Sequence, residues 1–301
     1  MSLKRKVQLV IISIIPMLLI VGIYILIKVP ASVEEEMITE EPEVVAEVTV
    51  PFIERTIIGN SVQGRSIDAV TFGNGEKHVL FVGGVHGGYE WNSSLLAYNI
   101  MEHLESNPEL VPTDITVSII PTLNPDGLYT VTGTEGVFTV ADVPDPSVRV
   151  AEGRFNANEV DLNRNFDCKW APESSWRGNV VSAGTSAFSE PEAQALRNHV
   201  GTFRPSAVVF WHSKANNVYA SECENGVLPE TLALMSTYAQ AASYGEVPVF
   251  DAYPITGDAE GWLASIGIPA VTVELETANS IEWTRNLAGM NAVLNLYSLI
   301  Q

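Results

Sequence analysis

Five apolar stretches, "SIDAVTF", "HVLFVGG", "ITVSIIP", "AVVFW" and "AVTVEL", recur between residues 66 and 275. Each is long enough for a strand, and most are apolar at consecutive rather than alternate positions, the pattern of a strand covered on both faces. Helix candidates separate them, beginning near Trp91, Glu190, Pro229 and Ile281. In "SEPEAQALRNHV", Ser followed by Pro and Glu is the pattern expected of an N-cap and first turn. The alternation predicts an α/β fold: a mixed, largely parallel twisted sheet with helices on both faces. In such sheets ligands and catalytic groups gather at the carboxyl ends of the strands.

Polar residues stand at those ends. His86 follows "VLFVGG", His212 follows "AVVFW", and Glu274 closes "AVTVE". Two imidazoles with a carboxylate form the ligand set of a catalytic zinc that keeps a position open, and Glu90 is the nearby carboxylate that completes it. Gly87 and Gly88 give the backbone freedom to bring His86 and Glu90 together. His103 and His199 fall within helix candidates among polar neighbours and are read as structural.

The charge is unevenly spread. Lys4, Arg5, Lys6 and Lys28 precede every acidic residue, which leaves 12 basic against 36 acidic side chains beyond position 28, a balance of −24. That surface repels phosphate backbones, so nucleic acid is not an expected partner. Val7 to Ile27 are 21 uncharged, mostly apolar positions. As a helix at 1.5 Å per residue they reach about 31 Å, enough for a bilayer. A basic flank before them and "EEEMITEEPE" after them place the N-terminus in the cytoplasm and the bulk outside. A cleaved signal peptide ending at "VPA" is the alternative, giving a secreted product; the anchor is preferred because the run exceeds the roughly 7–15 residue core of a signal peptide. The expected organisation is a cytoplasmic tip and transmembrane helix over 1–30, an acidic stalk over 31–50, and a catalytic domain over 51–301.

Cys168 and Cys223 are the only cysteines. An exported compartment permits them to pair; two separately buried thiols are the alternative, and no second cysteine lies close enough to either for a cysteine-type zinc site.

Several motifs together resemble the zinc carboxypeptidases of the carboxypeptidase A type, in that family's order from about Ile53 to the C-terminus. "GNSVQGRSIDAVTFG" is similar to the opening strands, "GGVHGGYEWN" to the first metal-binding motif, and "PTLNPDG" to an Asn-Pro-Asp-Gly turn. "VDLNRNFD" resembles the motif that holds the substrate carboxylate, "AFSEPEAQAL" a helix start, "WHS" the second metal-binding histidine, and "VTVELE" the strand of the catalytic glutamate. The resemblance implies one zinc per chain held by His86, Glu90 and His212. It gives Asn163 and Arg164 to the substrate's terminal carboxylate, Glu274 to general base catalysis, and Arg154 to polarising the scissile carbonyl, with Arg149 in reserve. Tyr253, nine residues before Trp262, matches the family's mobile tyrosine. Glu260 aligns with the base of the specificity pocket, where an acid favours basic terminal residues; a solvated loop acid is the other reading.

Two departures stand out. The family's first motif is His-x-x-Glu, whereas three residues separate His86 from Glu90, and Tyr89 occupies the glutamate's place. Either the glycines bulge to let Glu90 reach the metal, which is the reading adopted, or the metal site is incomplete. The stalk also leaves no room for an inhibitory prodomain. The implied function is a zinc carboxypeptidase acting on peptides with a free C-terminal carboxylate. A peptidoglycan endopeptidase or amidase of the same fold, cutting beside diaminopimelate, and a metal-free carboxylate-binding pseudoenzyme are the alternatives.

Overall fold

The computed structural model describes residues 52–299. The expected anchor and stalk lie outside the described residues. Among the described residues, no helix is long and apolar enough to cross a membrane.

Eight strands form one mixed sheet. In chain order these are β1 (Ile53–Asn60), β2 (Ser66–Phe72), β3 (Lys77–Val82), β4 (Ile115–Ile120), β7 (Ala207–Ser213), β8 (Asn217–Ala220), β11 (Gly245–Val247) and β12 (Ala270–Leu275). Their spatial order is β1-β2-β4-β3-β7-β12-β8-β11. The four central strands β4, β3, β7 and β12 are mutually parallel. The pairs β1–β2, β2–β4 and β12–β8 are antiparallel. Two small hairpins lie apart, β5 (Glu173–Trp176) with β6 (Asn179–Ser182) and β9 (Glu222–Cys223) with β10 (Gly226–Val227).

The apolar runs are continuous because successive side chains enter different cores. Val79, Phe81, Val209 and Trp211 join one cluster with α1 (Trp91–Ser106), α4 (Pro229–Ala242) and α6 (Trp283–Leu299). Leu80, Val82, Val208 and Phe210 join a second, with α3 (Pro191–Phe203) and α5 (Ala259–Ser265). These strand side chains are fully enclosed, and each contributes about 1.5–3 kcal/mol through removal from water. The period of two then decides where the polar ends point. His212 continues the face of Val208 and Phe210, and Glu274 sits directly across the β7–β12 pair from it.

The helix starts match the expectation except in their chemistry. Pro191 takes the first position of α3, but the cap is Glu190 rather than a serine, and no side chain closes it. Ser189 instead donates to Glu190 Oε1 at 2.7 Å and accepts from Asn165 Nδ2 at 2.9 Å. The Asn-Pro-Asp-Gly turn opens a further helix, α2 (Pro125–Thr132), in which Asn124 caps the end by accepting from the Gly127 N–H at 2.9 Å.

Cys168 and Cys223 are joined in a disulfide with Cα atoms 6.0 Å apart. It ties the segment following the Leu162–Arg164 turn to β9 across 55 residues, a closure that typically stabilises by about 3–4 kcal/mol.

Candidate active site

The His-x-x-x-Glu spacing is accommodated by a tight turn. Gly87–Glu90 form one stretch of 3-10 helix leading into α1. Gly87 has φ +44°, and a Cβ there would lie 2.7 Å from the carbonyl oxygen of Gly153. Only glycine suits both demands. The turn rotates Tyr89 away and delivers Glu90, whose Oε2 lies 3.1 Å from His212 Nδ1 and accepts the Ser213 N–H at 3.2 Å. One ligand atom from each of His86, Glu90 and His212 lies within 4.8 Å of the others, and all three residues are buried.

Charged groups surround the trio. Arg154 donates from Nε to Asp161 Oδ2 at 2.9 Å, with one terminal nitrogen also 2.9 Å from that oxygen, while its other terminal nitrogen lies 3.9 Å from Glu90 Oε1. Asp161 is also 3.6 Å from His86 Nδ1, which makes no hydrogen bond. Arg149 reaches across from its own loop, donating to Glu90 Oε1 at 2.9 Å, to the Ser213 carbonyl at 2.7 Å and to the Tyr89 carbonyl at 3.2 Å. Its guanidinium lies 3.8 Å from the Tyr89 ring centroid. The residue in the family's glutamate position has thus become the platform for a cation that holds the displaced glutamate.

On the far side of His212, Glu260 Oε1 is 3.2 Å from Nε2, close enough for an ion pair but not angled as a hydrogen bond. Burial alone would depress His212, but Glu260 and then Glu90 raise it to about 10. The same contacts hold Glu90 and Glu260 below the usual carboxylate range against the opposing effect of burial. For His86, burial and then Arg154 keep the ring neutral. Glu274 is pushed up to about 7 by burial and by Glu90, and its Oε2 has no partner.

This donor set fits zinc. Two imidazoles and a carboxylate converge, a ring nitrogen of each histidine is buried without a hydrogen bond, and positive charge is demanded between Glu90 and Glu260. Zinc held there supplies the Lewis acidity that polarises a carbonyl and makes a neighbouring water acidic near pH 7.

The remaining expected residues line the same cleft, of about 760 Å³. Arg164 is buried, donating to the carbonyls of Asn163 at 2.6 Å and Ser175 at 3.3 Å, and its Nε has no partner. No carboxylate forms an ion pair with it among the described residues. Asn163 is oriented by the Ala259 N–H, which donates to its Oδ1 at 2.8 Å. Tyr253 stands 46 % exposed at the mouth, its ring 4.9 Å from that of Phe250. Glu260 is not a solvated loop acid. It is buried in α5, where Thr272 donates to Oε1 at 3.0 Å. Asp258 caps α5 through the Gly261 N–H at 2.7 Å and is raised to about 6 by burial and by Glu260.

Two roles were not visible in sequence. Asp161 lies inside "VDLNRNFD" and links His86 to Arg154, but nothing in the motif marks that contact. Arg149 meets Glu90 only because a loop 59 residues away closes on it.

The chain is similar to gamma-D-glutamyl-L-diamino acid endopeptidase 1 of Lysinibacillus sphaericus, at 26 % identity over 247 residues covering 75 % of this chain and 61 % of the relative. It is also similar to carboxypeptidase B of Helicoverpa zea, at 27 % identity over 250 residues, 74 % of this chain and 56 % of the relative. It therefore spans less than two thirds of either protein's length. Among solved structures, carboxypeptidase A of Helicoverpa armigera aligns with a TM-score of 0.61 at 21 % identity, covering 81 % of this chain and 67 % of that one. A murein-tripeptide amidase from Escherichia coli O157 aligns with a TM-score of 0.56 at 23 % identity, covering 80 % and 90 %. These two show the shared fold. A sequence model of zinc carboxypeptidases matches residues 45–287, well over half of the chain, and the protein therefore belongs to the zinc carboxypeptidase family of metallopeptidases.

Proposed function

We propose that the protein removes C-terminal residues from peptides by zinc-dependent hydrolysis. The observation that carries this reading is Arg164: a buried guanidinium at one side of the metal trio, bonded only to carbonyls, with Nε unpartnered. A buried cation without a counter-charge is costly, and a terminal carboxylate supplies one in fork geometry. His86, Glu90 and His212 would hold the zinc, and Arg149 and Asp161 orient the ligands. Glu274, raised to about 7 with a free oxygen, is poised to accept the proton of the attacking water and return it to the leaving amine. Arg154, anchored by Asp161, presents its remaining nitrogen toward the metal trio and stabilises charge developing on the scissile carbonyl oxygen. Tyr253 would close over the bound terminus.

Asp258 and Glu260 support a preference for a terminal residue bearing an amine. The same pair favours the second reading, hydrolysis beside a diamino acid in cell-wall peptides, in keeping with the name of the Lysinibacillus relative. Export on an N-terminal anchor, or secretion after its cleavage, rests on residues 7–27 alone and is proposed with the function.

The test compares a peptide ending in free lysine with its C-terminal amide. The account expects turnover of the free acid to exceed that of the amide by at least about 100-fold, with the difference largely lost in Arg164→Ala. Equal turnover of acid and amide would overturn the exopeptidase reading.

A further inference from the structure

We propose that Lys214 and Arg177 form an upstream subsite that binds a carboxylate on the residue preceding the scissile bond. The inference rests on the carboxypeptidase reading above and specifies its substrate.

Of the 12 basic residues beyond position 28, six line the active-site cleft. Elsewhere, Arg55, Arg65, Lys77 and Arg285 lie against carboxylates, Arg197 lies over the Phe188 ring, and Arg204 forms no ion pair among the described residues. Within the cleft, Arg149 and Arg154 serve Glu90 and Asp161, and Arg164 faces the substrate terminus. Lys169 follows Cys168 of the disulfide, which leaves Lys214 and Arg177 next to the stacked Arg149 and Tyr89. Both are exposed, both line the cleft, and neither forms an ion pair or hydrogen bond among the described residues. With Lys169, they place exposed cations without ion pairs along this cleft in a chain that is otherwise strongly acidic.

Their position fixes what they would meet. A peptide with its terminal carboxylate at Arg164 and its scissile carbonyl at the metal trio continues past the stacked Arg149 and Tyr89. Lys214 flanks that stack on one side, following Ser213, whose carbonyl accepts from Arg149 at 2.7 Å. Arg177 flanks it on another, following Trp176, whose ring meets Tyr89 edge-on at 5.1 Å. An anionic group on the upstream residue satisfies both. Its source is either an aspartate or glutamate side chain, or the free α-carboxylate of a glutamyl unit linked through its side chain.

The test uses the zinc-loaded full chain and three acetylated peptides ending in lysine. The preceding residue is alanine, glutamate linked normally, or glutamate linked through its side chain. The expected result is a KM lower by roughly three- to tenfold for at least one glutamyl peptide than for the alanyl peptide, shrinking in high salt. The isomer favoured identifies the source of the carboxylate. In the Lys214→Glu/Arg177→Glu double variant the preference disappears or reverses, while Arg204→Glu, outside the cleft, retains it. No preference in the unaltered protein, or one that survives in the double variant, overturns the proposal. Equilibrium binding of the same peptides to Glu274→Gln reads the preference without turnover. Binding preference with no hydrolysis by the unaltered protein rejects the carboxypeptidase reading and keeps the subsite; no difference in binding rejects the subsite.

Discussion

Strand β3 has a histidine pair near each end, and the two pairs have opposite surroundings. His78, the second residue of the strand, faces His199 with ring centroids 6.3 Å apart, among apolar side chains and the Ser118 hydroxyl at 2.7 Å. Burial lowers both to about 4, so they are neutral packing groups. Beyond the other end, His86 and His212 have ring centroids 4.9 Å apart. There, Glu90, Asp161 and Glu260 crowd the rings, and each ring has a nitrogen without a hydrogen bond. All four rings are buried, the carboxyl-end pair somewhat more deeply. A buried nitrogen without a hydrogen bond does not separate the pairs, since His199 Nε2 is one too; what makes one pair a site is the convergence of carboxylates on its rings at the carboxyl edge of a parallel sheet.

The comparison is broken most directly by substitution at both ends. His86→Ala or His212→Ala should abolish stoichiometric zinc and lower kcat/KM by at least about 1,000-fold. His199→Gln should keep both, as zinc analysis and peptide kinetics would show. If the His199 variant lost zinc equally, the distinction between the pairs would fail.

A smaller effect is expected at the cation beneath the carboxyl-end pair. Arg149→Ala should weaken zinc affinity by about 10- to 100-fold in competition with a chelator, because Glu90 Oε1 loses the donor that orients it. Arg149→Lys should restore it only in part, since lysine cannot reach three acceptors in one plane. Unchanged affinity in both variants would remove Arg149 from the metal site.

The amino-end pair predicts a pH effect on stability. His78 and His199 have folded values near 4 against the ordinary 6.5. Between these values the unfolded chain binds protons that the folded chain does not, so stability is full above about pH 6.5 and is lost as pH falls toward 4. The loss is up to about 3 kcal/mol per imidazole. Denaturant titrations of His78→Gln should show a shallower decline over that range than the unaltered protein; an identical decline would assign the sensitivity elsewhere.

The smallest expected change is in selectivity. Asp258→Asn retains a helix cap but removes a charge, and should lower the turnover ratio of lysine-ended to leucine-ended peptides several-fold. A constant ratio would leave Glu260 alone to set the preference.

The same contrast explains what could be read in advance. Strands enclosed on both faces are continuous apolar runs, so the central strands and the four principal helix starts were legible. Period two and parallel order then placed His212 and Glu274 at one edge. The short hairpin β5–β6 and strand β11 are polar and half-exposed, with no periodicity to mark them. Helix α5 was hidden because Gly261 sits in its first turn, and α2 because its start reads as a turn. Glu90 was identified from its chemistry, but its reach depends on a 3-10 turn whose positive φ at Gly87 no spacing rule supplies. Glu260 illustrates the converse: its charge was visible, its contact with His212 was not.

The central claim is that the lengthened His86 to Glu90 motif still builds a complete metal site. Elemental analysis of the purified protein, grown with zinc, alongside Glu90→Ala and Glu274→Gln, tests it. The account predicts one zinc per chain in the unaltered protein and in inactive Glu274→Gln, and a sharp loss in Glu90→Ala. Full zinc in Glu90→Ala, or none in the unaltered protein, would contradict it.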